Sequence, residues 1–282
     1  MRHLPAISST IPLRLVYLLL IAVIMTAGCA SGDVTENPPT LTAQAERAMQ
    51  LATRMAGTLQ PTWQAANAWM TATAESYLGQ VEIARNWPIV MADSFDDDSG
   101  AWSTGVMTDT LGDIDWQIAG SKFTWNLKAK DGVVWWNVPD MEALTDFYVA
   151  ADVRQVNGPI DAQCGIIFRR ASEEDYYLLE IDNSGQYGLF KHSGSEWNTL
   201  SDWSKSPALL LSQSNHLVII GQGDMFVLLI NDQLVLPPTT LDTDLTSGTF
   251  GLAVGLSYAG QEASWEFDNF ELRAPSISTT PP

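Results

Sequence analysis

The sequence predicts a mainly β protein, an antiparallel sandwich of two sheets over residues 88–274 preceded by a helical stalk over residues 41–87. Two observations carry this prediction. Downstream of residue 88, short runs rich in β-branched and aromatic residues alternate with turn residues, and no run keeps a helical period. Upstream, small apolar residues recur every three or four positions, which is typical of a helix.

Composition and charge limit the partners. The chain has 282 residues, 46% hydrophobic and 10% aromatic, enough for a sizeable core. Asp and Glu number 33 against 14 Lys and Arg, a net charge of −19. Such a surface repels phosphate backbones, so we expect no nucleic-acid partner. Divalent cations and neutral polymers stay open as partners, beside the simpler interpretation that the charge keeps the protein soluble.

Residues 1–28 have the layout of a bacterial lipoprotein signal peptide. A basic start is followed by an apolar run of about a dozen residues, whereas a membrane span needs roughly 20. The run ends in residues 26–29 (TAGC), which resemble a lipobox, although Thr26 stands where Leu is usual. We therefore expect a lipid on Cys29 and an extracytoplasmic, membrane-anchored protein. An ordinary cleaved signal and a retained N-terminal anchor are the alternatives.

Two segments connect this signal to the sandwich. Residues 29–40 are polar and contain two consecutive prolines, as expected of a tether. Residues 41–87 predict two helical stretches separated by Pro61, and Pro88 ends the second because the residue before a proline avoids α geometry. We favour a stalk over an oligomerisation coil, since Pro61 and Gly79 interrupt small, Ala-rich faces.

About ten strands are predicted in the sandwich, separated by Gly, Asp, Asn and Ser turns. The runs are 122–128, 132–138, 147–156, 163–170, 176–182, 187–192, 216–221, 225–230, 249–256 and 263–273. Alternation gives each strand an apolar face, and two sheets about 10 Å apart can bury such faces. Cys164 lies in one apolar run and is interpreted as a small buried hydrophobe. Residues 275–282 are predicted to be a frayed tail.

Several runs resemble the hairpins of concanavalin A-like jelly-roll sandwiches. The likeness lies in residues 165–169 (GIIFR), 175–181 (DYYLLEI), 185–189 (GQYGL), 228–233 (LLINDQ) and 267–270 (FDNF). Within that superfamily the chain resembles laminin G-like domains and the 3-keto-disaccharide hydrolase-like branch, over roughly residues 88–273. Because these are core and turn residues, the resemblance implies a fold more than a chemistry.

The central hairpin suggests where a ligand would bind. On a regular strand Arg169 and Glu180 project from one sheet face, opposite the apolar Phe168 and Leu179. Sugars stack on aromatic rings, which a glycan site would therefore need. The candidate ligand-binding residues are Trp136, Tyr148, Arg169, Tyr176 and Glu180. A cross-strand ion pair on a solvated face is the alternative for the two charged members.

No defined nucleophile or metal triad accompanies these residues, so the sequence favours glycan binding without catalysis. If there is catalysis, Arg169 and Glu180 are the candidates, and the resemblance implies a hydrolase of 3-keto-glycosides. A purely structural envelope protein is the third alternative.

Two acidic motifs have further interpretations. Residues 266–271 match the E-x-D-x-x-E string of laminarinase-like glycoside hydrolases, but their carboxylates would need a bulge to share a face. The closing pattern of the fold explains them more simply. Asp93, Asp96 and Asp98, with Asp97, form the densest acidic cluster and are candidate ligands for a structural calcium ion. A solvated acidic turn is the alternative, and no other cofactor is expected.

Overall fold

The computed structural model describes residues 79–240 and 244–276, without the side chains of 237–240. The signal peptide, Cys29, the tether, residues 41–78 of the stalk and the tail from residue 277 lie outside this part. Residues 79–85 are helical, and the first strand begins at Ile89, directly after Pro88. Within the described ranges, no helix has the length and apolar character that crossing a membrane requires.

The described residues form fifteen strands. Their bounds are β1 Ile89–Asp93, β2 Gly105–Thr108, β3 Gly112–Ile118, β4 Phe123–Ala129, β5 Val133–Asn137, β6 Phe147–Asn157, β7 Gln163–Arg170, β8 Asp175–Asp182, β9 Gln186–Ser193, β10 Glu196–Lys205, β11 Asn215–Gln222, β12 Met225–Ile230, β13 Gln233–Thr240, β14 Thr249–Leu256 and β15 Glu262–Arg273.

These strands make two antiparallel sheets, which confirms the predicted sandwich. The nine-stranded sheet has the order β13-β12-β11-β6-β15-β4-β3-β2, and β1 pairs with the C-terminal half of β15. The six-stranded sheet has the order β10-β9-β8-β7-β14-β5. β5 and β2 are therefore the edge strands on one side of the sandwich. From residue 88 onward the described chain contains no helix.

The inner faces of the two sheets share one continuous, aromatic core. Phe147 of the nine-stranded sheet lies 4.5 Å from Phe250 and 5.9 Å from Phe168 of the other sheet, measured between ring centroids. Burying each such ring contributes about 1.5–3 kcal/mol. Cys164 also lies in this core, as predicted, and burial raises the pKa of its thiol above the usual range.

Part of the outer face of the nine-stranded sheet is covered by the chain that enters it. Val81, Ala84 and Trp87 pack on an apolar patch of β6, β11 and β12. The patch consists of Tyr148, Ala150, Val218, Ile220, Val227 and Leu229. These three strands read as nearly continuous apolar runs because both of their faces are covered.

Candidate functional site

Trp136, Tyr176 and Glu180 lie on one surface, the outer face of the six-stranded sheet. Strand alternation puts them there, because their neighbours Trp135 and Tyr177 belong to the core between the sheets. The rings of Trp136 and Tyr176 are 5.2 Å apart between centroids. The structure therefore brings together three of the five residues predicted to bind a ligand.

Arg169 does not belong to this surface, and the prediction that it does is wrong. Between the pairs Ile167–Gly251 and Arg170–Thr249, β7 contains one residue more than β14. This β-bulge interrupts the alternation, and Arg169 has a φ of +45°. Its side chain turns into the core, and Arg170 takes the outward position.

The guanidinium of Arg169 closes one end of the sandwich. It donates to the carbonyls of Leu245 at 3.0 Å, Thr145 at 2.8 Å and Gly223 at 2.5 Å. Its central carbon lies 4.6 Å from the ring centroid of Phe226. With 1% of the residue exposed, Arg169 is a structural group that joins three loops, and burial lowers its pKa.

Tyr148 lies on the other sheet, so its grouping with Trp136 is also wrong. It belongs to the patch covered by residues 79–87 and is 4% exposed. Burial raises the pKa of its hydroxyl, partly offset by a hydrogen bond and the charge of Arg85. A ligand on the six-stranded sheet cannot reach it.

Glu180 and Tyr176 lie on the predicted face, the outer face of the six-stranded sheet, but they are too buried to contact a large ligand. Glu180 is 5% exposed, lies opposite Gly165 and Gly188 on the neighbouring strands, and its Oε1 has no hydrogen-bond partner. Burial raises its pKa to about 8, so the carboxyl is protonated at neutral pH. Tyr176 is 2% exposed and stacks on His192 at 5.0 Å.

The accessible part of the surface is a cleft of about 740 Å³ at the open side of the sandwich, between β5 and β2. The half-buried ring of Trp136 forms part of its wall, and the Arg170 guanidinium lies 5.9 Å from that ring's centroid. Asp109, Asp140, Glu173 and Thr249 are among the other lining residues. We call this the Trp136 cleft.

Sequence reasoning missed Arg170, Asp140 and Glu173. The signal for Arg170 was the pair of arginines at 169–170, which cannot both lie in a core. The two acids stand in loops, where no periodicity points to them. Rings continue from the cleft across the sheet through Tyr176 and His192 to Trp197, which is 47% exposed.

The three carboxylates of residues 266–271 do share a face, because β15 bulges at Asn269, whose φ is +49°. They lie on the outer face of the nine-stranded sheet, away from the Trp136 cleft. Each faces a cation: Glu266 lies 3.5 Å from Arg154, Asp268 pairs with Lys122, and Glu271 lies 2.6 Å from Arg273. The ion-paired set does not form the pair of free carboxyls that a glycosidase needs.

The candidate calcium ligands do not converge. Asp93 accepts hydrogen bonds from the Phe95 amide and the Trp102 indole, and Asp96 accepts one from Ser94. Asp98 accepts one from the amide of Gly100. Across residues 79–240 and 244–276, no three His, Cys, Asp or Glu side chains form a group that could hold a metal ion. The acidic cluster is a loop tied by its own hydrogen bonds, and calcium binding there stays a prediction.

Comparison with known proteins gives matches to solved structures only. No protein-family model and no curated protein matches the chain. Carbohydrate-binding module CBM66 from Bacillus subtilis is 20% identical with a TM-score of 0.47, covering 62% of this chain and 96% of that one. The catalytic domain of an endo-1,3-β-glucanase (laminarinase) from Thermotoga petrophila is 10% identical with a TM-score of 0.47, covering 68% and 99%.

A third similar structure is the GlcNAcα1-4Gal-releasing endo-β-galactosidase from Clostridium perfringens. It is 10% identical with a TM-score of 0.48, and the match covers 67% of this chain and 63% of that one. At these identities and TM-scores, the three proteins assign neither a ligand nor an activity to this chain.

Proposed function

We propose that this protein binds carbohydrate in the Trp136 cleft and does not catalyse a reaction there. The observation that carries the proposal is the half-buried Trp136 ring in the wall of an open cleft, with an arginine beside it. The apolar C–H face of a pyranose stacks on such a ring. The cleft volume lies within the range of about 300–1,000 Å³ that is usual for small-ligand sites.

The polar lining suits hydroxyl groups. Arg170 offers only donors, and the carboxylates of Asp140 and Glu173 offer only acceptors. A sugar hydroxyl both donates and accepts, so it can pair with either kind of side chain. A purely apolar ligand would leave all three polar groups unpaired.

The same geometry argues against hydrolysis by the two-carboxyl mechanism of most glycosidases. Glycoside hydrolysis usually needs one carboxyl with a raised pKa and a second that stays ionised, both next to the scissile bond. Glu180 has the raised pKa, but its Oε1 is buried beneath the surface and does not line the Trp136 cleft. A proton on Glu180 therefore has no direct route to a ligand in the cleft.

We further propose, on the signal-peptide pattern, that the protein acts outside the cytoplasm, anchored through a lipid on Cys29. A surface-held binding module of this kind would keep glycan close to the cell envelope.

Binding can be measured by screening the full chain on a glycan array and titrating the best ligand by calorimetry. We expect Trp136→Ala to weaken binding at least about tenfold, because a central aromatic contact is worth ~1.4 kcal/mol or more. Tyr258→Ala, which removes a 65% exposed ring that does not line the cleft, should bind like wild type. Equal affinity of Trp136→Ala and wild type would place the site elsewhere.

The hydrolase alternative is tested by incubating the same protein with 3-keto-disaccharides. We expect no turnover. Turnover that is abolished in Glu180→Gln would overturn the non-catalytic part of the proposal, whatever the array shows.

A further inference from the structure

Among the lysines and arginines within residues 79–240 and 244–276, only Arg170 has a side chain with neither a hydrogen bond nor an ion pair. The others all have partners. They are Arg85, Lys122, Lys128, Lys130, Arg154, Arg169, Lys191, Lys205 and Arg273. In a chain where acids outnumber bases more than two to one, an unpaired guanidinium is unexpected.

The fold holds Arg170 in this position. The bulge in β7 turns it outward, and its own carbonyl accepts a hydrogen bond from the Thr249 hydroxyl at 3.2 Å. The guanidinium lies beside Trp136 in the wall of the cleft, and its terminal nitrogens have no acceptor in the described part of the chain. A donor that loses water when a ligand binds costs free energy unless the ligand supplies the acceptor. The unpaired arginine therefore points to an acceptor that arrives with the ligand.

We infer that Arg170 selects the ligand of the cleft, and that this ligand is an uncharged glycan presenting adjacent hydroxyl oxygens. The inference rests on the proposed function and names the class of glycan. A guanidinium has a planar fork of N–H groups that can donate to two neighbouring oxygens at once. Two adjacent ring hydroxyls match that fork while the sugar ring stacks on Trp136.

The charges around Arg170 exclude acidic glycans. Asp109, Asp140 and Glu173 line the same cleft, so three carboxylates accompany one cation. Asp140 and Glu173 are exposed and have no ion pair in the described part of the chain. A uronate or sulfate would gain one attraction and meet three repulsions, within an overall charge of −19.

The charge preference can be tested with matched ligands. The probes are a β-1,4-glucan, a β-1,4-galactan and a β-1,4-mannan, whose internal residues keep the adjacent 2- and 3-hydroxyls free, each also in a form whose primary hydroxyls have been oxidised to carboxylates. For the probe that the full chain binds, we expect the oxidised form to bind at least about tenfold more weakly at low salt. The double variant Asp140→Asn/Glu173→Gln should narrow this difference.

The role of Arg170 is tested on the unoxidised probe. Arg170→Gln should weaken binding about tenfold, and Arg170→Lys should recover only part of it, because an ammonium lacks the fork. Arg154→Gln, which removes a partly exposed arginine on the other sheet, is the matched control and should bind like wild type.

The outcomes separate the two proposals. An oxidised probe that binds as tightly as the neutral one, with Trp136→Ala still weakening it, overturns the inference and leaves glycan binding standing. Unchanged binding by Arg170→Gln also overturns it. If Trp136→Ala binds every probe like wild type, or if no glycan binds at all, the proposed function itself fails.

Discussion

Glu180 combines a polar group with an apolar setting, and this determines its acid–base behaviour. The residues opposite it on both neighbouring strands are glycines, so its side chain can lie flat against the sheet, where it is shielded from water. Burial raises its pKa to about 8, whereas an unfolded glutamate titrates near ~4.3. The folded chain therefore keeps a proton that the unfolded chain releases between these two pH values.

The free energy of unfolding should fall as pH rises through this window. The contribution of Glu180 is fully present below about pH 4.3 and is lost as pH rises through about 8, because only the unfolded chain gains by ionising in between. We expect Glu180→Gln to remove this dependence and to be more stable than wild type at pH 9 by about 2–5 kcal/mol. Urea unfolding at pH 4.5, 6, 7.5 and 9 measures it.

Glu196→Gln, an exposed position on β10, is the control and should follow the wild-type pH profile. Parallel pH profiles for Glu180→Gln and wild type would show that the Glu180 carboxyl is ionised and solvated in the folded protein.

At the scale of strands, the sequence located ten runs rich in β-branched and aromatic residues between turn residues, and these became β4 to β9, β11, β12, β14 and β15. Four of the five strands that it missed lack that signal. β2 is four exposed residues, β10 is largely polar, and β13 contains Pro237 and Pro238. β1 is five residues long and ends in an acid. The pairing partners of these four strands, rather than their own sequences, make them strands. β3 is the exception, because Ile114, Trp116 and Ile118 alternate with polar residues and gave a signal that the sequence analysis overlooked.

The candidate site was predicted in part for the same reason. Alternation placed Trp136, Tyr176 and Glu180 on one face, and it failed at Arg169 because a bulge adds one residue and reverses every later side chain. Tyr148 was misplaced because β6 is apolar on both faces, so periodicity does not say which face is covered. Loop residues that complete the cleft depend on tertiary structure alone.

The bulge in β7 turns Arg169 into the core, and we expect this arginine to contribute to the free energy of unfolding. Arg169→Met should destabilise the fold by about 3–5 kcal/mol, because three carbonyls lose their donor at a buried end of the sandwich. Arg154→Met, which removes a partly exposed ion pair at 3.5 Å, should change stability by less than ~1 kcal/mol. Denaturant midpoints of both variants against wild type decide this, and equal midpoints would mean that Arg169 is solvated.

At the scale of the whole described molecule, the outer faces of the two sheets differ in what covers them. Residues 79–87 enter on the nine-stranded sheet and cover an apolar patch there, while the Trp136 cleft opens at the edge of the six-stranded sheet. The segment through which the chain enters therefore leaves the cleft accessible.

The anchor itself is a prediction about Cys29. A diacylglycerol with a further acyl chain holds a protein stably, whereas a single chain holds it marginally. In a host that processes lipoproteins, the wild-type chain should incorporate labelled palmitate and fractionate with membranes, and Cys29→Ala should do neither. Cys164→Ala is the matched control: its thiol is buried in the core, so label and fractionation should stay as in wild type. Equal labelling of wild type and Cys29→Ala, or none in either, would contradict the prediction. The affinity of purified Cys29→Ala for glycan should equal that of wild type, because the anchor and the cleft act independently.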